Sequence, residues 1–150
     1  MPKPIYVLSG PNLNLLGTRE KGVYGIETLS GIEERVRARA AELGVELDTF
    51  QSNHEGEIIE RIHGARAQGI EGILLNPGGY THSSVAIRDA LLAVEVPFIE
   101  IHISNVSARE PFRQKNLFSD IAMGSITGLG GLGYILGLEA LHELLGTKTR

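Results

Sequence analysis

The sequence predicts a three-layer α/β sandwich in which helices cover both faces of a five-stranded parallel sheet. Short apolar runs alternate with longer segments in which apolar residues recur at helical spacing. Turns rich in glycine, proline and asparagine separate the two kinds of segment. Such alternation implies parallel βαβ units. At 150 residues, the chain is predicted to form one domain, residues 1–150.

The predicted strands are short runs of β-branched and other apolar residues, each closed by turn residues. They lie in residues 5–8, 45–50, 73–75, 96–105 and 125–127. Apolar residues at three- and four-residue spacing predict helices between them, with inner faces over residues 29–43, 58–65, 85–94 and 135–145. Gly44 and Gly69 are predicted to end the first two helices. Ser52 and Asn53 are predicted to cap the second, and Ser83 or Ser84 the third.

Five such strands suit the flavodoxin-like order 2-1-3-4-5, in which ligands bind beyond the carboxyl ends of the strands, near the switch between strands 1 and 3. This rule directs attention to the loops after strands 1, 3 and 4. The polar residues of these regions are Asn12, Arg19, Tyr24, Asn76, His82, Glu100, His102, Arg109 and Arg113.

Composition excludes several function classes. The formal net charge of −4 argues against nucleic acid or an anionic membrane as partner. Cysteine is absent, which rules out disulfides, thiolate catalysis and cysteine-based metal sites. No apolar run approaches the roughly 20 residues of a membrane helix, and no signal-peptide core is found, so a cytoplasmic location is expected.

The fourth strand carries two polar side chains within its apolar run. Because side chains alternate along a strand, Glu100, His102 and Ser104 share one face, and Ile99, Ile101 and Ile103 are predicted on the other. A carboxylate two residues from an imidazole can hold the ring in one tautomer. On this strand alone, a structural polar pair and a catalytic dyad are equally good interpretations.

Three further segments have a functional and a structural interpretation. The helix start after NPGG at 76–79 suits an anionic or hydroxylated ligand, or is only a capped loop. Arg109 and Arg113 suit carboxylates and hydroxyls, or are solvated surface. Tyr24, in a polar loop with Arg19, is a plausible base if guanidinium charge stabilises its tyrosinate, although exposed loop tyrosines are more often surface.

The segment GLGGLG at 128–133 matches a dinucleotide-binding pattern but lies after the last strand instead of the first. Close packing of the final helix on the sheet is the better explanation. No H-E-x-x-H motif or desolvated strand lysine is present, so neither a metal site nor a Schiff base is predicted.

Taken together, GPNLNLLGTRE at 10–20, NPGGYTHS at 76–83, EIHISN at 100–105 and REPFR at 109–113 closely resemble the type II 3-dehydroquinate dehydratases. The resemblance covers nearly the whole chain. It implies dehydration of 3-dehydroquinate to 3-dehydroshikimate without metal or cofactor, by a flavodoxin-type domain whose trimers build a homododecamer. Biosynthesis of aromatic compounds and quinate breakdown are both compatible with it.

The resemblance also implies roles for individual residues. Tyr24 matches the base, which acts as tyrosinate, and Arg19 and Arg109 match the groups that stabilise that charge. Asn12 matches the residue that positions a water against the oxyanion of an enolate intermediate.

His102 matches the acid that protonates the departing hydroxyl, and Glu100 matches its orienting partner. The implied substrate-binding groups are Asn76, Ile103 and Ser104 for the carboxylate, His82 and Arg113 for the ring hydroxyls, and Asp89, beside Arg88, reaching in from a neighbouring subunit. One departure is visible, because Gln114, Lys115 and Asn116 stand where the family often has histidine and serine. This departure is expected to affect subunit assembly or substrate affinity more than the reaction itself.

Two rival functions remain open from the sequence. A flavodoxin-like lyase or isomerase acting on a small phosphate would need more serine, threonine and lysine in the first loop, where this chain has Pro11, Asn12 and Leu13. A non-catalytic binding module would bind ligand without turnover, and the convergence of Tyr24, Arg19 and His102 would then be coincidental.

Overall fold

A computed structural model describes residues 3–18 and 27–148, with side chains described to residue 146. Within these ranges the chain forms five strands and four α-helices. They are β1 (Lys3–Ser9), α1 (Leu29–Leu43), β2 (Val45–Gln51), α2 (Glu55–Ala67), β3 (Gly72–Asn76), α3 (Val85–Val94), β4 (Phe98–His102), β5 (Gly124–Thr127) and α4 (Leu132–Lys148).

The five strands form one sheet in the order β2-β1-β3-β4-β5, and every neighbouring pair is parallel. The predicted α/β class and strand order are therefore confirmed. Because all strands run the same way, the loops after β1, β3 and β4 lie at one edge of the sheet. In the last pair, Glu100 is in register with Ser125, so their side chains lie side by side on the same face.

The core has two layers, one on each face of the sheet. α1 and α4 pack on one face, where Ile99, Ile101 and Ile103 join their apolar residues. α2 and α3 pack on the other face, against Tyr6, Leu8 and Phe98 of the sheet. The alternation predicted for β4 is confirmed, because its isoleucines lie in the first layer and Glu100 faces the second. Among the described residues, no helix is both long and apolar enough to span a bilayer.

The helix ends follow local chemistry. Gly44 closes α1 with a φ of 71°, in the left-handed region that glycine tolerates. Ser84 caps α3 by accepting a hydrogen bond from the Ile87 N–H. At α2 the expectation was wrong by one or two residues, since the helix is capped at His54 and Ser52 instead accepts the His54 N–H.

The glycine-rich segment before α4 brings this helix close to its neighbours. A Cβ on Gly131 would lie 2.8 Å from Ile32 of α1, and one on Gly137 would lie 2.9 Å from Ile101 of β4. These separations are shorter than real Cβ contacts, so side chains there would push α4 outward. Close packing is the role that these glycines have in the structure.

Candidate active site

The loops after β1 and β3 touch at the switch point of the sheet. The Gly10 N–H donates to the Asn76 carbonyl oxygen at 2.8 Å. A Cβ on Gly10 would lie 2.4 Å from the Pro77 carbonyl oxygen, and Gly78 has a φ of 59°. Only glycine at position 10 permits this close approach of the two loops.

Asn12 begins the first loop in a left-handed conformation, with φ 68°. Its N–H donates to the Asn53 side chain at 2.9 Å, and the following turn is anchored by buried Leu13 and Leu16. Asparagine adopts this backbone region more readily than most residues. The turn therefore holds Asn12 at the pocket while two leucines fix it to the core.

The pocket has a volume of about 190 Å³ and lies beyond the carboxyl ends of β1, β3 and β4. This is where the strand order predicts a ligand. Its lining includes most of the predicted site residues, namely Asn12, Asn76, His82, His102, Ile103, Ser104, Arg109 and Arg113.

Glu100 and His102 form a buried pair in which His102 lines the pocket and Glu100 lies behind it. The His102 Nε2 atom lies 2.5 Å from the Glu100 Oε2 atom, and Glu100 is fully buried. An ionised carboxylate only accepts, so Nε2 carries the proton and Nδ1 is the remaining ring nitrogen. When the ring carries a single proton, this geometry favours the tautomer with the proton on Nε2.

Three further donors surround the Glu100 carboxylate. Asn116 Nδ2 donates to Oε2 at 2.6 Å, and the hydroxyls of Ser119 and Ser125 each donate to Oε1 at 2.5 Å. Burial alone would raise the pKa of Glu100, but the hydrogen bonds from His102, Ser119 and Ser125 outweigh it and lower the pKa to about 2. Glu100 is therefore a carboxylate throughout the physiological pH range.

Glu100 should stabilise the fold at neutral pH and lose that contribution in acid. Because its pKa falls from an ordinary 4.5 to about 2, the contribution is complete above pH 4.5 and lost as the pH falls towards 2. Linkage puts it on the order of 3 kcal/mol. Urea unfolding at fixed protein concentration should show wild type and Glu100→Gln converging in stability as the pH falls from about 5 towards 2. A difference that does not vary with pH would contradict this assignment.

Asn76 is held by α4, which packs on the face of the sheet opposite to the one that Glu100 faces. The Asn76 Nδ2 atom donates to the Tyr134 hydroxyl oxygen at 3.0 Å, and this hydroxyl oxygen lies 2.9 Å from the Ser9 Oγ atom. The Asn76 Oδ1 atom accepts a hydrogen bond from the Gly78 N–H. Tyr134 is fully buried, and this burial raises its pKa to about 12, so it remains a neutral hydroxyl. Asn76 is thus fixed between the helix and the loop.

Replacing Tyr134 by phenylalanine should destabilise the protein by about 1–3 kcal/mol, because buried polar atoms of Ser9 and Asn76 lose a partner. Thermal or urea unfolding measures this loss. Tyr80→Phe is the matched control, since the Tyr80 hydroxyl donates to an exposed backbone carbonyl at Asn53. Equal effects of the two substitutions would contradict a special role for the buried hydroxyl.

The remaining pocket side chains are also oriented by neighbours. His82 Nδ1 donates to the Lys115 carbonyl oxygen at 2.7 Å, which leaves Nε2 as the second ring nitrogen. Arg109 Nη1 lies 3.5 Å from Ser104 Oγ, and Arg113 Nε donates to Glu110 at 2.9 Å. Two guanidinium groups and an imidazole thus border one pocket, which suits a ligand rich in carboxylate and hydroxyl oxygens.

The roles predicted for three further residues stay predictions. Arg19 and Tyr24 fall outside the described residues, so their positions relative to the pocket stay predictions. Asp89 is exposed on α3 and does not line the pocket, and its role in a neighbouring subunit's site also stays a prediction. Within the described ranges, no three histidine, aspartate or glutamate side chains cluster as a metal site would require.

Sequence reasoning missed the residues that hold Glu100 and Asn76. Asn116 lies in the segment noted only as a departure, and Ser125 and Tyr134 lie far along the chain. The predicted adjacency of the last two strands was a usable signal for Ser125. No sequence pattern gives the contact between Tyr134 and Asn76.

Comparisons with known proteins agree on one family. Residues 3–142 match the family model described as dehydroquinase class II. The chain is 60% identical over 148 residues to a catabolic 3-dehydroquinase of Emericella nidulans, covering 99% of this chain and 95% of that protein. It is 60% identical over 136 residues to a 3-dehydroquinate dehydratase of Marinobacter nauticus, covering 91% and 93%.

The crystal structure of a type II dehydroquinase from Butyrivibrio crossotus superposes with a TM-score of 0.91 at 44% identity, covering 93% of this chain and 97% of that one. Fold, order of motifs and sequence identity over nearly the full length point the same way. The chain belongs to the type II dehydroquinase family.

Proposed function

We propose that the protein is a hydro-lyase that dehydrates 3-dehydroquinate to 3-dehydroshikimate through an enolate. The observation that carries the proposal is the carboxylate-bound imidazole of His102 in the lining of a pocket that also holds Asn76, Arg109 and Arg113. The relatives from Emericella nidulans and Marinobacter nauticus, a catabolic 3-dehydroquinase and a 3-dehydroquinate dehydratase, support the same substrate.

The first step is removal of a proton from the carbon beside the ketone. Tyr24, as tyrosinate, takes this proton, and the electron pair moves onto the ketone oxygen. Arg19 and Arg109 stabilise the tyrosinate, and Asn12 positions a water that donates to the developing oxyanion. Support for this assignment comes from the motif around residues 10–25 and from the presence of Asn12 and Arg109 in the pocket lining.

The second step expels the β-hydroxyl. The enolate electrons form a carbon–carbon double bond conjugated with the ketone, and the hydroxyl leaves as water after it takes a proton from His102. His102 acts here in its doubly protonated form: Glu100 keeps the proton on Nε2, and the proton that is delivered is the one on Nδ1. Tyr24 has then gained a proton and His102 has lost one, so proton exchange with solvent resets both groups.

Binding is assigned to the polar rim of the pocket. Asn76 and the backbone at Ile103 and Ser104 take the substrate carboxylate, and His82 and Arg113 take the ring hydroxyls. The backbone at the end of β4 is held by hydrogen bonds, because the Gly128 and Gly130 N–H groups donate to the carbonyl oxygens of His102 and Ile103.

The test adds 3-dehydroquinate to the purified, chelator-treated protein and follows the ultraviolet absorbance of the conjugated enone. A rise that borohydride does not abolish supports the proposed reaction without an imine. No rise, with ligand still bound, would instead favour a non-catalytic binding module. Turnover of a small phosphorylated substrate in place of 3-dehydroquinate would favour the other rival enzyme class.

The assembly is proposed to be a homododecamer built from trimers, with Asp89 entering a neighbouring site. Exposed Val85 and Leu92 lie on α3 with Asp89, which supports burial of this helix face between subunits. Sedimentation velocity at micromolar concentration tests this, and a monomer would refute it.

A further inference from the structure

Asn116 contacts the same carboxylate oxygen as the proposed acid. Its Nδ2 donates to Glu100 Oε2 at 2.6 Å, and His102 Nε2 lies 2.5 Å from that atom. The two donors therefore share one oxygen, and the position of Asn116 bears directly on the bond that orients His102.

The orientation of the Asn116 amide is set by its own turn. Its Oδ1 accepts the Phe118 N–H at 2.7 Å and the Ser119 N–H at 2.9 Å. Because backbone N–H groups only donate, the oxygen must face them and the NH2 must face Glu100. The assignment of amide oxygen and nitrogen is thus fixed by chemistry.

The turn is anchored independently of Glu100. Phe118 is fully buried in the layer of α2 and α3, and the Leu117 N–H donates to the Thr81 carbonyl oxygen at 3.0 Å. Arg88 donates to the Leu117 carbonyl oxygen at 2.9 Å and pairs with Asp120. The fold therefore brings a preorganised donor to the carboxylate.

The other oxygen of Glu100 is occupied by the hydroxyls of Ser119 and Ser125. A carboxylate has about four lone-pair sites, and here His102, Asn116 and the two serines fill them. With every site filled, the carboxylate cannot rotate without breaking a buried hydrogen bond. Such a loss is costly in a buried site.

We propose that Asn116 is a positioning residue that acts through Glu100, locking the carboxylate so that His102 keeps its proton on Nε2 and presents Nδ1 to the substrate. Ser119 and Ser125 fix the other oxygen of the same carboxylate, Oε1. This inference rests on the proposed function for its effect on turnover, but the tautomer of His102 can be measured without substrate.

Asn116→Asp is the most informative variant. The aspartate keeps an oxygen for the Phe118 and Ser119 N–H groups, so the turn survives, but it replaces the donor with a second oxygen facing Glu100. We expect kcat to fall roughly 10- to 100-fold, the range seen for outer partners of metal-bound histidines. KM should change less than about threefold, because Asn116 does not line the pocket.

Gln114→Glu is the matched control. Gln114 lies in the same segment and donates to the Val106 carbonyl oxygen at 2.9 Å, with no contact to Glu100. The substitution makes the same change from amide to acid. It should leave kcat within about twofold of wild type.

The readout that separates positioning from mere folding is the 15N spectrum of the His102 imidazole, identified by its absence from the His102→Ala protein. At a pH where the ring carries a single proton, wild type should show that proton on Nε2, and Asn116→Asp a mixture of tautomers. An unchanged tautomer in Asn116→Asp, with or without a fall in kcat, overturns the proposal. A tautomer that depends on Asn116 in a protein that never turns over 3-dehydroquinate supports the lock and refutes only the proposed reaction.

Discussion

Replacing His102 by glutamine should lower kcat on 3-dehydroquinate by roughly 10²- to 10⁴-fold, the usual contribution of a positioned general acid. The glutamine amide can still donate to Glu100, so the buried carboxylate keeps a partner, but it cannot give up a proton. Stability should therefore change little, and the loss should lie in chemistry. Steady-state kinetics with the enone absorbance measures it directly.

His63→Gln is the control for this substitution, because His63 is exposed on α2, away from the pocket. A second measurement assigns the affected step. If loss of the hydroxyl becomes limiting in His102→Gln, deuterium at the carbon beside the ketone should slow the variant less than it slows wild type. A variant with wild-type kcat would remove His102 from the mechanism.

Tyr24→Phe should cause a loss of similar size, roughly 10²- to 10⁴-fold in kcat, because no group then removes the proton in the first step. Binding contacts proposed for the carboxylate and the ring hydroxyls remain. A non-reactive substrate analogue should therefore bind this variant about as well as it binds wild type, as measured by calorimetry.

Tyr80→Phe again serves as the control, since it also removes one tyrosine hydroxyl and Tyr80 does not line the pocket. It should keep near-normal turnover. Retained activity in Tyr24→Phe would contradict the base assignment, whereas lost analogue binding would point to a binding role for this tyrosine.

The fold was largely predictable because its determinants are local or periodic. Apolar spacing located each helix, Gly44 and Ser84 marked helix ends, and strand–helix alternation restricted the sheet to a few topologies. The alternation of β4 also placed Glu100 and His102 on one face. The start of α2 was predicted one or two residues too early because Ser52 accepts an N–H just outside the helix.

The supporting contacts of the site could not be predicted in the same way. Asn116 and Ser125 lie 16 and 25 residues from Glu100, and Tyr134 lies 58 residues from Asn76. These contacts depend on strand register, on the path of a loop without periodicity and on the depth at which a helix packs. The residues that line the pocket and the Glu100 partner of His102 were recognisable as motifs, whereas the residues that hold Glu100 and Asn76 were not.

The hydrogen bond between Asn76 and Tyr134 has a consequence for synthesis of the chain on the ribosome. All residues proposed to bind or react with substrate within one subunit have been made once residue 113 emerges, yet the Asn76 amide gains its buried partner only from α4. A nascent chain that ends after β5 also lacks the helix that covers β3 and β4 beside α1. Among the helices that the structure describes, the one translated last therefore supplies the buried partner of Asn76.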